Sequence, residues 1–269
     1  MADGNLGEMS FWDHVDALRG VLLRAGAVVI LMAIVFFAAM PEIFDRIILA
    51  PTRPDFCLYG LLASLGSVRG ITPDFNADFS VSLINIQLAS QFFIHISTSF
   101  WLALVFSFPI IIYLLWSFVA PGLYEREKRG ARTAFLFGNV MFFIGVAVGY
   151  FLVFPLTLRF LAGYQVSELV PNQISLDSYM DNFLMLILVM GIIFELPLLA
   201  WLLGKTGLLT RSFFSSYRRH AVVVLLILAA VVTPTGDPFT LTVVFLPIYI
   251  LWELSARFVP SHSHDTAAA

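Results

Sequence analysis

Ser99-Phe-Trp-Leu-Ala-Leu-Val-Phe-Ser-Phe-Pro-Ile-Ile-Ile-Tyr-Leu-Leu-Trp-Ser-Phe-Val119 contains no charged residue. Wound as an α-helix, these 21 residues rise ~32 Å, which matches the hydrocarbon thickness of a bilayer. The stretch lies inside a charge-free run of 46 residues, Phe79 to Tyr124, too long for one crossing. The first part of that run carries Asn85, Gln87, Ser90, Gln91, His95, Ser97 and Thr98 and is too polar to face lipid throughout. It is predicted to lie at the interface or outside, with the crossing itself over 99–119.

The rest of the chain has the same character. Hydrophobic residues make up 59% of 269 and charged residues 12%, and phenylalanine alone accounts for 27. Soluble domains run near 45–50% apolar and about 25% charged, so this chain has too few charges to cover its apolar surface in water. A net charge of −3 and a single cysteine exclude a nucleic-acid-binding domain, a disordered chain and a disulfide scaffold. The sequence predicts an all-α integral membrane protein forming one polytopic domain over 1–269. Its six spans are expected near 22–41, 99–119, 133–156, 180–203, 219–233 and 239–256, with a flexible tail over 259–269.

Orientation follows from the lysines and arginines of the loops. Eleven of 15 fall on the side holding the N-terminus, the second and fourth loops and the tail, which predicts both termini in the cytoplasm. The acidic residues Asp3, Glu8, Asp13 and Asp16 ahead of the first apolar run argue for a retained span there, not a cleaved leader. Two long loops, Glu42 to Thr98 and Leu156 to Tyr179, would lie outside. The first reads as a partly ordered cap, and Cys57 within it has no second cysteine to pair with.

No constellation for enzyme chemistry is present: the chain lacks His-Glu-x-x-His, Gly-x-Ser-x-Gly and a glycine-rich phosphate loop. No enzymatic activity, cofactor or metal is expected. Three features stand out instead. Glu195 lies mid-span in Gly191-Ile-Ile-Phe-Glu-Leu-Pro197, where a carboxylate is expensive and normally faces protein or a wet cavity. Pro197 also withholds an N–H from the carbonyl of Ile193. Ala120-Pro-Gly-Leu-Tyr-Glu-Arg-Glu-Lys-Arg129 follows the second span as a mixed-charge loop. Phe11-Trp-Asp-His-Val-Asp-Ala-Leu-Arg19, part of an amphipathic segment over 9–21, places Phe11, Val15, Leu18 and Leu22 at helical spacing and would lie on the membrane surface.

In this order, these segments resemble the TatC family, the multi-spanning core of the twin-arginine protein translocase. The resemblance spans about residues 9 to 258. It rests on His14-Val-Asp-Ala-Leu-Arg19, Ala50-Pro51, Phe118-Val-Ala-Pro-Gly-Leu-Tyr-Glu-Arg-Glu-Lys-Arg129 and Gly149-Tyr-Phe-Leu-Val-Phe-Pro155. Phe194-Glu-Leu-Pro197 and Thr233-Pro-Thr-Gly-Asp-Pro-Phe239 complete the set.

The resemblance implies a glove-shaped array of six helices in the bacterial cytoplasmic membrane. It implies export of folded proteins, driven by the proton motive force, with TatA- and TatB-like single-span partners, self-association and no nucleic acid. The family motif puts the glutamate that meets the signal's paired arginines at Glu127, flanked by Glu125. Planar guanidiniums match carboxylates bidentately, and two of them need more than one acceptor. The family's second glutamate falls at Ala17, a departure. Asp16 is its neighbour and Asp13 lies about one turn earlier, so either can supply the second carboxylate, beside His14 and Arg19. Ser97 and Leu241 depart where relatives often carry lysine and glutamine. The resemblance makes Pro51, Phe118, Pro121 and Asp237 structural positions and Thr233 the place of partner docking.

The charge-free runs of 17 and 15 residues behind the last two spans cover ~25 and ~22 Å, short of ~30 Å, so the bilayer should thin beside them. A competing reading, a proton-coupled transporter of a small solute, would use Glu195 as its proton site.

Overall fold

The structure, a computed structural model, describes residues 11–62, 81–120, 125–167, 169–205 and 209–259, without the side chains of residues 11, 13, 14, 119, 125–131 and 258. Helix α1 (Phe11–Ile43) runs 33 residues without a break. The amphipathic segment is therefore continuous, from Phe11 on, with the helix that carries the first apolar run. No proline or glycine pair interrupts the apolar run, so the helix continues to Pro41 in its last turn. Pro41 has no N–H for the carbonyl of Phe37. His95 of α2 (Ser90–Val119) takes over, with Nε2 placed 2.9 Å from that oxygen and its ring stacked on Phe37 at 4.0 Å.

The polar residues from Ser90 to Thr98 thus lie in the first turns of α2, in one helix with the apolar run over 99–119. Ser90 Oγ donates to the Asp177 carboxylate, Ser99 Oγ donates to the carbonyl of His95 at 2.7 Å, and Thr98 is fully buried. These side chains are satisfied or enclosed by neighbouring helices, so the helix can carry them at membrane depth.

Helix α3 (Glu125–Val148) passes through a π-turn (Gly149–Val153) into α4 (Phe154–Gly163). Pro155 near the start of α4 lacks the N–H that a regular helix needs, and the wider π-turn absorbs that defect. Helices α5 (Leu176–Ile193) and α6 (Leu196–Lys205) are halves of one rod interrupted at Phe194–Glu195. After the short α7 (Arg211–Ser216) come α8 (Arg218–Val232) and α9 (Pro238–Phe258). Gly236, at φ +59°, supplies the left-handed turn between them.

Five helical stretches among the described residues are long and apolar enough to cross a membrane. At 15 residues α8 is shorter than these and rises only ~22 Å.

Small residues set the closest packing. A Cβ on Gly145 would lie 2.5 Å from the carbonyl oxygen of Met190, and one on Gly149 would lie 3.0 Å from the Cα of Ile187. α3 and α5 therefore touch backbone to backbone.

At the opposite end of the bundle from Lys205, tyrosine hydroxyls hold the turns that follow α1, where the π-turn Phe44–Ile48 and the 3₁₀ turn Ala50–Thr52 leave carbonyls free. Tyr150 Oη donates to the carbonyl of Ile47 at 2.8 Å, Tyr179 to that of Ile48, and Tyr59 to that of Pro51 at 2.8 Å. The two outer loops also meet, as strands β1 (Leu83–Ile84) and β2 (Ile174–Ser175) pair in parallel with Leu83 opposite Ile174.

Candidate functional site

α1 and α2 form an antiparallel hairpin, with Phe36 against Phe106 at 5.1 Å as well as Phe37 against His95. Twenty-one residues back from Phe37 stands Asp16, and 23 on from His95 stands Phe118, heights of ~32 and ~35 Å along the two helices. Asp16 therefore lies level with the end of α2. The Trp116 ring lies tilted against Phe135 at 5.1 Å and ties that end to the third turn of α3, the helix that begins at Glu125. Asp16, Ala17 and Arg19 are all exposed. Glu125 and Glu127 occupy the first turn of α3, where the helix dipole favours carboxylates. The side chains of Asp13, His14, Glu125 and Glu127, and Pro121 as a whole, lie outside the described residues.

The second locus is Glu195. It sits at the break between α5 and α6, where its N–H donates to the carbonyl of Ile192 at 3.1 Å, a tighter turn than an α-helix makes. The missing N–H of Pro197 explains the break. Glu195 Oε1 is buried and has no hydrogen-bond partner among the described residues. Its carboxylate lies over Gly138 of α3, where a Cβ would come within 2.9 Å of Oε2. Thirteen residues separate Gly138 from Glu125, so the carboxylate sits ~20 Å from the end of α3, well inside the apolar rod. An unpartnered carboxyl at that depth can hold water or receive a donor from an inserted segment.

The remaining candidates are structural in their contacts. Pro51 is buried and gives its carbonyl to Tyr59. Phe118 is half-buried in the last turn of α2. Asp237 caps α9, accepting from the Thr240 N–H at 2.7 Å and from Thr235 Oγ1 at 2.6 Å. Partial burial raises the pKa of Asp237, but these hydrogen bonds outweigh it and hold the carboxyl below the usual aspartate range. Thr233 is only 4% exposed and its hydroxyl points back to the carbonyl of Ala230. Its side chain ends α8 and offers no contact surface. The exposed face of that helix is Val223, Val224, Ile227 and Val231.

Three functional-site elements escaped the sequence reading: His95 as a substitute donor, Gly138 beneath Glu195, and the glycines that seat α3 on α5. Only the last had a readable signal, the Gly145-Val-Ala-Val-Gly149 spacing.

Comparison with known proteins settles the family. The family model described as "Sec-independent protein translocase protein (TatC)" matches residues 13–247. The chain belongs to the TatC family. A TatC protein of Blattabacterium sp. subsp. Periplaneta americana is 33% identical over 250 residues, 92% of this chain and 94% of that protein. One from Helicobacter pylori strain 26695 is 40% identical over 174 residues, 65% of this chain and 68% of that protein. Two crystal structures of the twin-arginine translocase receptor TatC superpose on the fold. The first has a TM-score of 0.68 at 26% identity, covering 91% of this chain and 97% of the other. The second, in DDM, has 0.71 at 27%, covering 92% and 99%. The chain is thus a multi-pass, Sec-independent protein translocase component of the TatC family, and the small-solute transporter reading lapses.

Proposed function

We propose that this chain is the receptor and assembly core of a twin-arginine translocase in the bacterial cytoplasmic membrane, with both termini in the cytoplasm. The observation that carries this reading is the family match over residues 13–247, joined to Glu125 and Glu127 in the mixed-charge first turn of α3, at the same end of the bundle as Asp16. Glu127 takes one guanidinium of a signal peptide's arginine pair. Asp16 or Asp13 takes the other, with Glu125 and the His14 and Arg19 surroundings setting the local field. A planar fork on a carboxylate is a directional, charge-assisted contact that lysine cannot reproduce.

Glu195 keeps water or a polar partner inside the bundle during the later passage of cargo. TatA- and TatB-like partners dock along the apolar face of α8, whose short span supports local thinning. Copies of the chain associate in the receptor complex, and the proton motive force drives transport.

The test is binding of an Arg-Arg signal peptide and its Lys-Lys counterpart to the purified full chain in nanodiscs. Preference for Arg-Arg is expected. Equal binding of both would remove the receptor reading. Orientation is tested separately in a Cys57→Ser background: Gln173→Cys should label from outside intact cells and Lys128→Cys only after lysis.

A further inference from the structure

At the end of the bundle that carries Lys205, α7 lies against the start of α8 and the end of α9. Between them is a cavity of about 530 Å³ lined by Arg211, Ser212, Phe214, Arg218, Glu253 and Arg257. Three guanidiniums thus face one carboxylate, and that carboxylate is already engaged. Arg218 Nη2 donates to Glu253 Oε2 at 2.8 Å, and Tyr249 Oη donates to Oε1 at 3.2 Å. Among the described residues, no ion pair joins Arg211 or Arg257 to an acid. The cavity therefore carries an excess of two positive charges.

Phe214 and Ala256 give this otherwise polar lining an apolar patch. Phe214 is 3% exposed and its ring packs on Trp252 at 4.7 Å. On the same stretches of chain that form the cavity, Phe213, Tyr217 and Leu254 are exposed, and tyrosine is a side chain that sits at headgroup level. Guanidiniums beside the Phe214–Trp252 pair and these exposed apolar side chains complement a molecule that is anionic at one end and hydrocarbon at the other. Free phosphate would use only the first half of that surface.

We propose that this cavity is a binding site for an anionic phospholipid. Its phosphodiester lies between Arg211 and Arg257, with Arg218 held in place by Glu253, and its acyl chains follow the wall formed by α8 and α9. On the orientation proposed above, the lipid comes from the cytoplasmic leaflet. The site itself does not depend on that orientation, since a detergent micelle has no leaflets.

The experiment uses the full chain in detergent, with phosphatidylglycerol, phosphatidylcholine and inorganic phosphate added back separately. Binding is read by native mass spectrometry and by thermal stabilisation. Phosphatidylglycerol should bind at least roughly tenfold tighter than phosphatidylcholine, and the Arg211→Gln/Arg257→Gln double variant should lose that preference. Glu253→Gln, which removes the opposing charge, should tighten binding several-fold and reads the proposal even if the double variant folds poorly. Arg46→Gln, at the other end of the bundle, should leave binding unchanged. Three results would overturn the proposal: an undiminished preference in the double variant together with no gain in Glu253→Gln, inorganic phosphate competing at equal concentration, or an Asp/Glu-rich peptide displacing the lipid at lower concentration than the lipid itself. The second would mark a free-anion site and the third a protein-docking surface. Signal-peptide binding in the same samples keeps this result separate from the receptor reading.

Discussion

His95 Nε2 lies 2.9 Å from the carbonyl oxygen of Phe37, the acceptor that Pro41 deprives of its backbone N–H. One imidazole thereby repairs a helix 58 residues away in the chain and fixes α2 against α1. The tautomer that satisfies the geometry carries its proton on Nε2.

Removing that donor leaves the Phe37 carbonyl unpaired beside lipid. His95→Leu should lower stability by roughly 1–3 kcal/mol. Combining it with Pro41→Ala should recover part of the loss, because alanine restores the backbone donor. A double-mutant cycle from thermal unfolding in detergent checks the coupling, and strict additivity would reduce His95 to a packing residue.

The glycines of α3 should differ in what they tolerate. At Gly145 an added methyl meets the carbonyl oxygen of Met190 at 2.5 Å, and backbone cannot step aside. At Gly138 it meets the far ends of Leu198 and Glu195, which can rotate. Gly145→Ala should therefore cost on the order of 1–3 kcal/mol. Gly138→Ala should cost less but displace the Glu195 carboxylate, and so reduce transport more than stability. Melting temperatures and an export assay, measured on both variants, separate the two effects.

Glu195→Gln keeps polarity without charge and should preserve the fold. Glu195→Leu should impair late transport steps more than signal-peptide binding, because its carboxylate lies ~20 Å inside the bundle from the first turn of α3. Equal loss of binding in both variants would place Glu195 in recognition or folding instead.

The departure at Ala17 permits a gain-of-function test of the recognition face. Glu127→Ala should cut Arg-Arg peptide affinity sharply, and Asp16→Ala should cut it further. Ala17→Glu should restore binding in the Asp16→Ala background, Arg-Lys peptides gaining less. Ala17 is exposed on α1, so the substitution meets no packing obstacle. Affinity at two salt concentrations distinguishes a fitted pair from a screened attraction. If neither change at the N-terminal end matters, the second arginine is held elsewhere.

Asp237→Ala should destabilise the turn before α9 by about 0.5–2 kcal/mol, the usual worth of an N-cap. A carboxyl whose pKa is lowered on folding contributes stability above its unfolded value and loses it as pH falls through the folded one. For Asp237 the contribution is complete at neutral pH. It fades only in acid, below the ordinary aspartate value of about 3.9. Melting curves between neutral pH and acid should converge for wild type and variant at the acid end.

The membrane class, the all-helical character and the outlying status of Glu195 were all legible in the linear sequence. Each depends on local composition: a run either is or is not apolar enough for lipid, and a carboxylate within it is conspicuous wherever the run ends up. The turn at Thr233–Pro238 was equally legible, since proline and glycine act on their own backbone. The sequence motifs also sufficed to indicate the family.

What only the tertiary structure decided is which surfaces meet. What the polar side chains of Ser90 to Thr98 meet, and what Glu195 faces, depend on partners far along the chain. In sequence those side chains read as lipid-incompatible; in the fold α1 and α5 supply partners for His95 and Ser90. His95 and Phe37, Gly138 and Glu195, and Tyr179 and Ile48 are pairs whose members carry no mark of each other in sequence. In a bilayer, lipid is as apolar as a helix neighbour, so periodicity says little about which face packs. Close backbone contact and the satisfaction of buried polar groups make that choice.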